Sequence, residues 1–117
     1  MKEKIYNKLV RDKIPEIIAQ QGKQVTFSTL KFDEFKQALK DKFIEEATEL
    51  VNAETLEQII EEMADIYEVL NAMQLYLTET VIATPVILNA MHEKRKNKGG
   101  FEKMVFLLSV TDRNRDD

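Results

Sequence analysis

The chain has 117 residues, of which 44% are hydrophobic, and this predicts one folded domain over residues 1–117 with a modest core. The absence of cysteine excludes disulfides and thiolate metal sites, and with no long apolar run and no signal-peptide pattern we expect a cytoplasmic protein without membrane contact. A formal net charge of −4 argues against direct binding to nucleic acid.

The N-terminal third predicts a short helix followed by a strand. Asp12 can cap the helix, Pro15 suits its first turn, and Gly22 should end it. Residues 25–30 (VTFSTL) are β-branched and aromatic, which predicts a short strand that needs a partner.

Two long amphipathic helices follow. Asp33 is the predicted N-cap of the second helix, which should run to about Ala53. The third helix is predicted over residues 54–77, and its broad apolar face comprises Leu56, Ile59, Ile60, Met63, Ile66, Tyr67, Leu70 and Met73.

A fourth helix should end at Gly99 and Gly100 with a basic last turn, and Pro85 either kinks it or marks its start. The apolar residues 104–110 (MVFLLSV) then predict a final strand that pairs with residues 25–30. The predicted fold is therefore mainly all-α, with four helices and a small two-stranded β element.

Acidic residues form an unusual pattern on the second and third helices. Two pairs of acids spaced three apart stand on consecutive helices: Glu46, Glu49, Glu62 and Asp65. At 100° per residue, Glu46 falls between Phe35 and Leu39, inside the stripe that should face the core. Burying a carboxylate there is costly unless a partner or a metal compensates it.

An antiparallel hairpin would bring these four acids together, and a hard divalent cation would relieve their repulsion. Mg²⁺ or Mn²⁺ fits oxygen ligands, whereas zinc does not fit a chain with one histidine and no cysteine. The alternative is a solvated, salt-bridged helix face. Before the first helix, Lys8, Arg11 and Lys13 can reach an anion or an acidic partner surface, although composition alone favours a solvated terminus.

These residues resemble the all-α NTP pyrophosphohydrolase superfamily, the MazG-like and phosphoribosyl-ATP pyrophosphohydrolase-like proteins. Its pattern of ExxE, a spacer and ExxD stands here as EEATE and EEMAD. The flanking motifs KLVRDKIP and KRKNKGGF extend the resemblance over nearly the whole chain.

The resemblance implies Mg²⁺-dependent hydrolysis of a nucleoside triphosphate to the monophosphate and pyrophosphate, in a homodimer or homotetramer. The implied metal ligands and catalytic residues are Glu46, Glu49, Glu62 and Asp65, one of which would orient the attacking water. The implied phosphate contacts are Lys42, Arg95 and Lys98, together with Arg11 and Lys13. Lys98 stands where the relatives usually carry arginine, which would remove a bidentate phosphate contact.

Two other functions are compatible with the same residues. One is phosphoribosyl-ATP pyrophosphohydrolase itself, acting in histidine biosynthesis rather than in the removal of unwanted nucleotides. The other is a non-catalytic helical interaction protein, in which the acids form interhelical salt bridges only. Binding of a divalent metal ion would distinguish the enzymes from the interaction protein.

Overall fold

A computed structural model describes residues 2–112. Over this range the chain forms four helices: α1 (Ile14–Gln20), α2 (Phe32–Asn52), α3 (Leu56–Tyr76) and α4 (Thr84–Lys98). The predicted all-α class is confirmed. The chain divides into two compact units, one ending at Ile82 and holding α1, α2 and α3, the other beginning at Ala83 and holding α4.

Local capping explains where α2 and α3 begin. Lys31 is the N-cap of α2, and its backbone N–H donates to Glu34 Oε1 over 3.1 Å, so the helix starts slightly before the predicted cap Asp33. At α3, Thr55 Oγ1 accepts from the backbone N–H of Gln58 over 3.1 Å, and the Gln58 side chain accepts from the backbone N–H of Thr55 over 3.3 Å. Only three residues separate the helices, which favours an antiparallel hairpin.

The core of the first unit lies in the seam where α2 packs against α3. Leu39 of α2 is 2% exposed and Val69 of α3 is 7% exposed, while the rings of Phe35 and Tyr76 meet edge to face with centroids 5.4 Å apart. The third residue buried to this degree among those described is Glu46, which is 4% exposed. A carboxylate therefore occupies a core position, where the helical periodicity predicts it.

Part of the predicted apolar face of α3 points away from this seam. Tyr67 is 73% exposed, and the same face exposes further large hydrophobic side chains: Leu56, Ile60, Met63 and Leu70. The side turned towards α2 carries Val69, Glu62 and Asp65 together with half-buried members of the predicted face, namely Ile59, Ile66 and Met73. Within one chain, a row of large apolar side chains on α3 thus stays in contact with solvent.

Proline and glycine mark the ends of the two shorter helices. Pro15 lies in the first turn of α1, and Gly22, just after that helix, has a φ of 82°. Pro85 lies in the first turn of α4 and therefore marks its start rather than a kink. Gly99 caps α4 with a φ of 85° after a basic last turn, as predicted.

The predicted two-stranded β element is wrong. Neither residues 25–30 nor residues 104–110 form a strand, and residues 2–112 contain none. Phe27 is 69% exposed and Phe106 is 85% exposed, so these segments bury little of their apolar surface. Strand propensity creates a strand only where a partner completes the hydrogen-bond ladder, and neither segment has one.

Among the described residues, no helix has the length and apolar character needed to cross a membrane.

Candidate metal centre

The α2–α3 hairpin brings all four predicted acids together. One carboxylate oxygen each from Glu46, Glu62 and Asp65 lies within 4.8 Å of the others, and Glu46 forms a second such group with Glu45 and Glu49. The five residues are called the acidic cluster below. Glu46 belongs to both groups because it points into the seam between the helices.

Two oxygens of the acidic cluster have no hydrogen-bond partner although they are buried, namely Glu46 Oε2 and Glu62 Oε2. A buried acceptor left unsatisfied costs about 1–3 kcal/mol, and more when it is charged. Carboxylate oxygens are the ligands that Mg²⁺ and Mn²⁺ prefer, and unsatisfied oxygens on facing helices leave coordination sites available. The residues present therefore fit a hard divalent cation.

The electrostatics of Glu62 reflect this crowding. Burial raises the pKa of Glu62 to about 7, and the neighbouring carboxylates of Glu49 and Glu46 contribute to the increase. A carboxyl group with this pKa holds a proton during part of the time near neutral pH. A bound cation would replace that proton, because both compensate the same negative charge.

Lys42 supplies a positive charge from inside the seam. Its Nζ lies 3.1 Å from Glu46 Oε1 and 3.3 Å from Glu45 Oε1. Burial acts to lower the pKa of Lys42, but its hydrogen bond to Glu46 and the charges of both carboxylates outweigh burial and raise that pKa. Lys42 therefore remains charged beside the candidate metal ligands.

The segment before α1 adds two more cations to the acidic cluster. Lys8 Nζ lies 3.0 Å from Glu45 Oε1, and Arg11 donates to Asp65 Oδ1 over 2.8 Å. Lys13, by contrast, is exposed and has no ion-pair partner within residues 2–112. Three of the basic residues considered in the first unit are thus brought to the acids, and Lys13 is not.

The sequence favours a solvated surface position for Glu45, whereas its contacts place it within the ion-pair group around Glu46. Burial favours a higher pKa for Glu45, but hydrogen bonds and charge from Lys8 and Lys42 lower it below its usual value. Glu45 thus holds two lysines next to Glu46. Its position directly before the motif acid was visible in the sequence, but its two partners depend on the tertiary fold.

The other two predicted phosphate contacts lie in the second unit. Arg95 and Lys98 stand in the last turn of α4, and Arg95 forms an ion pair with Glu102. That hydrogen bond lowers the pKa of Glu102.

Comparison with known proteins finds no relative of this chain. No protein-family model matches the chain, no curated protein matches it, and no solved structure matches it. What the site can do is therefore inferred from its own residues.

Proposed function

We propose that the chain is a Mg²⁺-dependent nucleoside triphosphate pyrophosphohydrolase of the all-α superfamily that its motifs resemble, acting in the cytoplasm. The observation that supports this most is the pair of buried, unpartnered oxygens on Glu46 and Glu62 within a group of acids. A buried carboxylate oxygen without a partner costs free energy, so stability alone does not explain these two oxygens. A function that needs an oxygen-lined cation site explains them.

The four motif acids would hold the cation: Glu46, Glu49, Glu62 and Asp65. Mg²⁺ or Mn²⁺, when bound, polarises the phosphoryl group and lowers the pKa of the attacking water. One cluster carboxylate would orient that water and take its proton as the water oxygen bonds to the α-phosphorus. The bond from that phosphorus to the oxygen bridging the α- and β-phosphates breaks, and the oxygen leaves with pyrophosphate. The products are the nucleoside monophosphate and pyrophosphate.

Cationic side chains next to the cluster complete the substrate site. Lys42 lies in the seam with its ammonium beside Glu46, so it can contact a phosphate that approaches the bound metal. Arg11 lies at the rim beside Asp65 and offers a planar guanidinium suited to phosphate oxygens. Arg95 and Lys98 remain proposed phosphate contacts on the resemblance alone.

The exposed apolar face of α3 supports a homo-oligomer. Large contiguous apolar surfaces in contact with water usually mark sites of protein association. We propose that a second copy of the chain covers this face, giving a homodimer or a pair of such dimers. The acidic side of α3 would then remain available for catalysis within each chain.

Pyrophosphate release tests the proposed activity. Canonical and damaged nucleoside triphosphates, together with phosphoribosyl-ATP, would be incubated with Mg²⁺ or Mn²⁺ and with the wild type, Glu46→Gln or Asp65→Asn. We expect metal-dependent release that both substitutions reduce by about a hundredfold or more, since each removes a metal ligand. Glu57→Gln, which changes an exposed acid in the first turn of α3, is the matched control and should retain activity.

The preferred nucleotide would separate removal of unwanted nucleotides from histidine biosynthesis. No release from any substrate, together with no effect of Mg²⁺ on the melting temperature, would instead support the non-catalytic interaction protein. The ion pairs from Lys42 and Arg11 to the acidic cluster are the observation that favours this second function.

A further inference from the structure

Residues 8–11 reach both helices of the hairpin from one short stretch of chain, and we call them the cationic strap. At one end Lys8 pairs with Glu45 of α2, and at the other Arg11 pairs with Asp65 of α3 and lies 3.9 Å from Glu68. Between them Leu9 is half-buried. The strap therefore lies against the rim of the acidic cluster and is fixed to it by charge.

Both partners of the strap belong to the acidic cluster, but they differ in the cations they bind. Glu45 offers an oxygen to the group with Glu46 and Glu49, and it binds Lys42 as well as Lys8, so the strap end at Lys8 is part of a wider ion-pair group. Asp65 offers an oxygen to the group with Glu46 and Glu62 and forms its ion pair with Arg11. The carboxylate partner of Arg11 is therefore itself a candidate metal ligand.

The Arg11 contact is built for exchange rather than for permanent stability. The Arg11 side chain is 54% exposed, and ion pairs with this exposure are weak and readily replaced. Two positive charges that use one carboxylate oppose each other, so a divalent cation at Asp65 would weaken the hold on the guanidinium. Two oxygens of a phosphate group can accept from the guanidinium in the same bidentate manner as the two oxygens of a carboxylate.

We propose that Arg11 is an exchangeable counter-ion of Asp65. When a divalent cation binds the acidic cluster, the Arg11 guanidinium moves from the Asp65 carboxylate to the substrate phosphates. This inference rests on the proposed function. Lys8 keeps the strap anchored at Glu45 during the exchange, so the guanidinium needs only a change of side-chain conformation. Arg11 thereby couples occupation of the metal site to capture of the anionic substrate.

Opposite effects of one substitution on two ligands test the proposal. Mn²⁺ binding to the metal-free protein would be measured by electron paramagnetic resonance, and binding of inorganic tripolyphosphate to the Mg²⁺-loaded protein by calorimetry. Arg11→Ala should bind Mn²⁺ about two- to fivefold more tightly, because a competing charge is gone. The same variant should bind tripolyphosphate about tenfold more weakly, because a charge-assisted contact is lost. Lys40→Ala removes an exposed charge elsewhere on α2 and should change neither affinity.

Arg11→Lys separates the charge from the planar fork. It should keep Mn²⁺ affinity close to that of the wild type and still weaken tripolyphosphate binding. Mn²⁺ affinity that falls or stays unchanged in Arg11→Ala would overturn the inference, as would unchanged tripolyphosphate binding in both variants. Failure of the wild type itself to bind Mn²⁺ would instead remove the proposed metal centre, so the two failures are distinguishable.

Discussion

The two sides of α3 place charge and apolar surface in unexpected positions. The side facing α2 carries Glu62 and Asp65 around the buried Val69, whereas the opposite side exposes large hydrophobic residues such as Tyr67 and Ile60. A helix that served stability within one chain would bury its apolar side and expose its acids. This arrangement supports the two proposed roles of α3, with the inner side binding a cation and the outer side binding protein.

The outer side of α3 gives the largest expected effect. Ile60→Glu would place a charge in the centre of the proposed interface, and we expect the dissociation constant of the dimer to rise about a hundredfold or more. Analytical ultracentrifugation over a range of concentrations measures this change. Gln20→Glu adds the same charge at an exposed position on α1 and should leave the dimer intact.

A wild type that stays monomeric at high concentration would contradict the assignment of the outer side of α3. The apolar residues would then need another partner, and Ile60→Glu would improve solubility without changing mass. The inner side of the helix would be unaffected by either result, because its contacts lie within one chain.

Glu62 on the inner side of α3 should lower the free energy of unfolding of the metal-free protein and at the same time support metal binding. Glu62→Gln removes a carboxylate whose neighbours are Glu46 and Glu49, so the metal-free protein should gain about 1 kcal/mol in its free energy of unfolding. The same substitution should abolish the rise in melting temperature that Mg²⁺ causes in the wild type. Urea unfolding and thermal melts, each with and without Mg²⁺, measure the two effects. Loss of stability in metal-free Glu62→Gln would show that the acids support the fold.

The sequence predicts well those features that depend on local spacing. Helices α2 and α3 follow from their apolar periodicity, and the core position of Glu46 follows from its angle on α2. The end of α4 follows from Gly99, whose positive φ suits a residue without a Cβ. These features need no information about distant parts of the chain.

Features that depend on distant partners were not predictable in the same way. Residues 25–30 have strand propensity, but a strand also requires a neighbour that the sequence does not identify. The pairing of Lys8 with Glu45 joins positions far apart in the chain, and either residue alone resembles a solvated surface charge. The choice of the side of α3 that packs on α2 was also open, because both sides carry apolar residues.

The last expected effect is a pH dependence that Glu62 on the inner side of α3 produces. The pKa of Glu62 is raised from 4.5 to about 7 in the folded chain, so between these values the folded state holds a proton that the unfolded state has released. The free energy of unfolding of the metal-free protein should therefore fall as the pH rises through this window. Mg²⁺ competes with the same proton, so its stabilising effect should grow over the same range. Urea unfolding at pH 5, 6, 7 and 8 measures both trends, and Glu62→Gln should reduce both slopes. Equal slopes in the wild type and this variant would assign the pH dependence to other groups. The proposed role of the inner side of α3 would then have less support than the proposed role of its outer, apolar side.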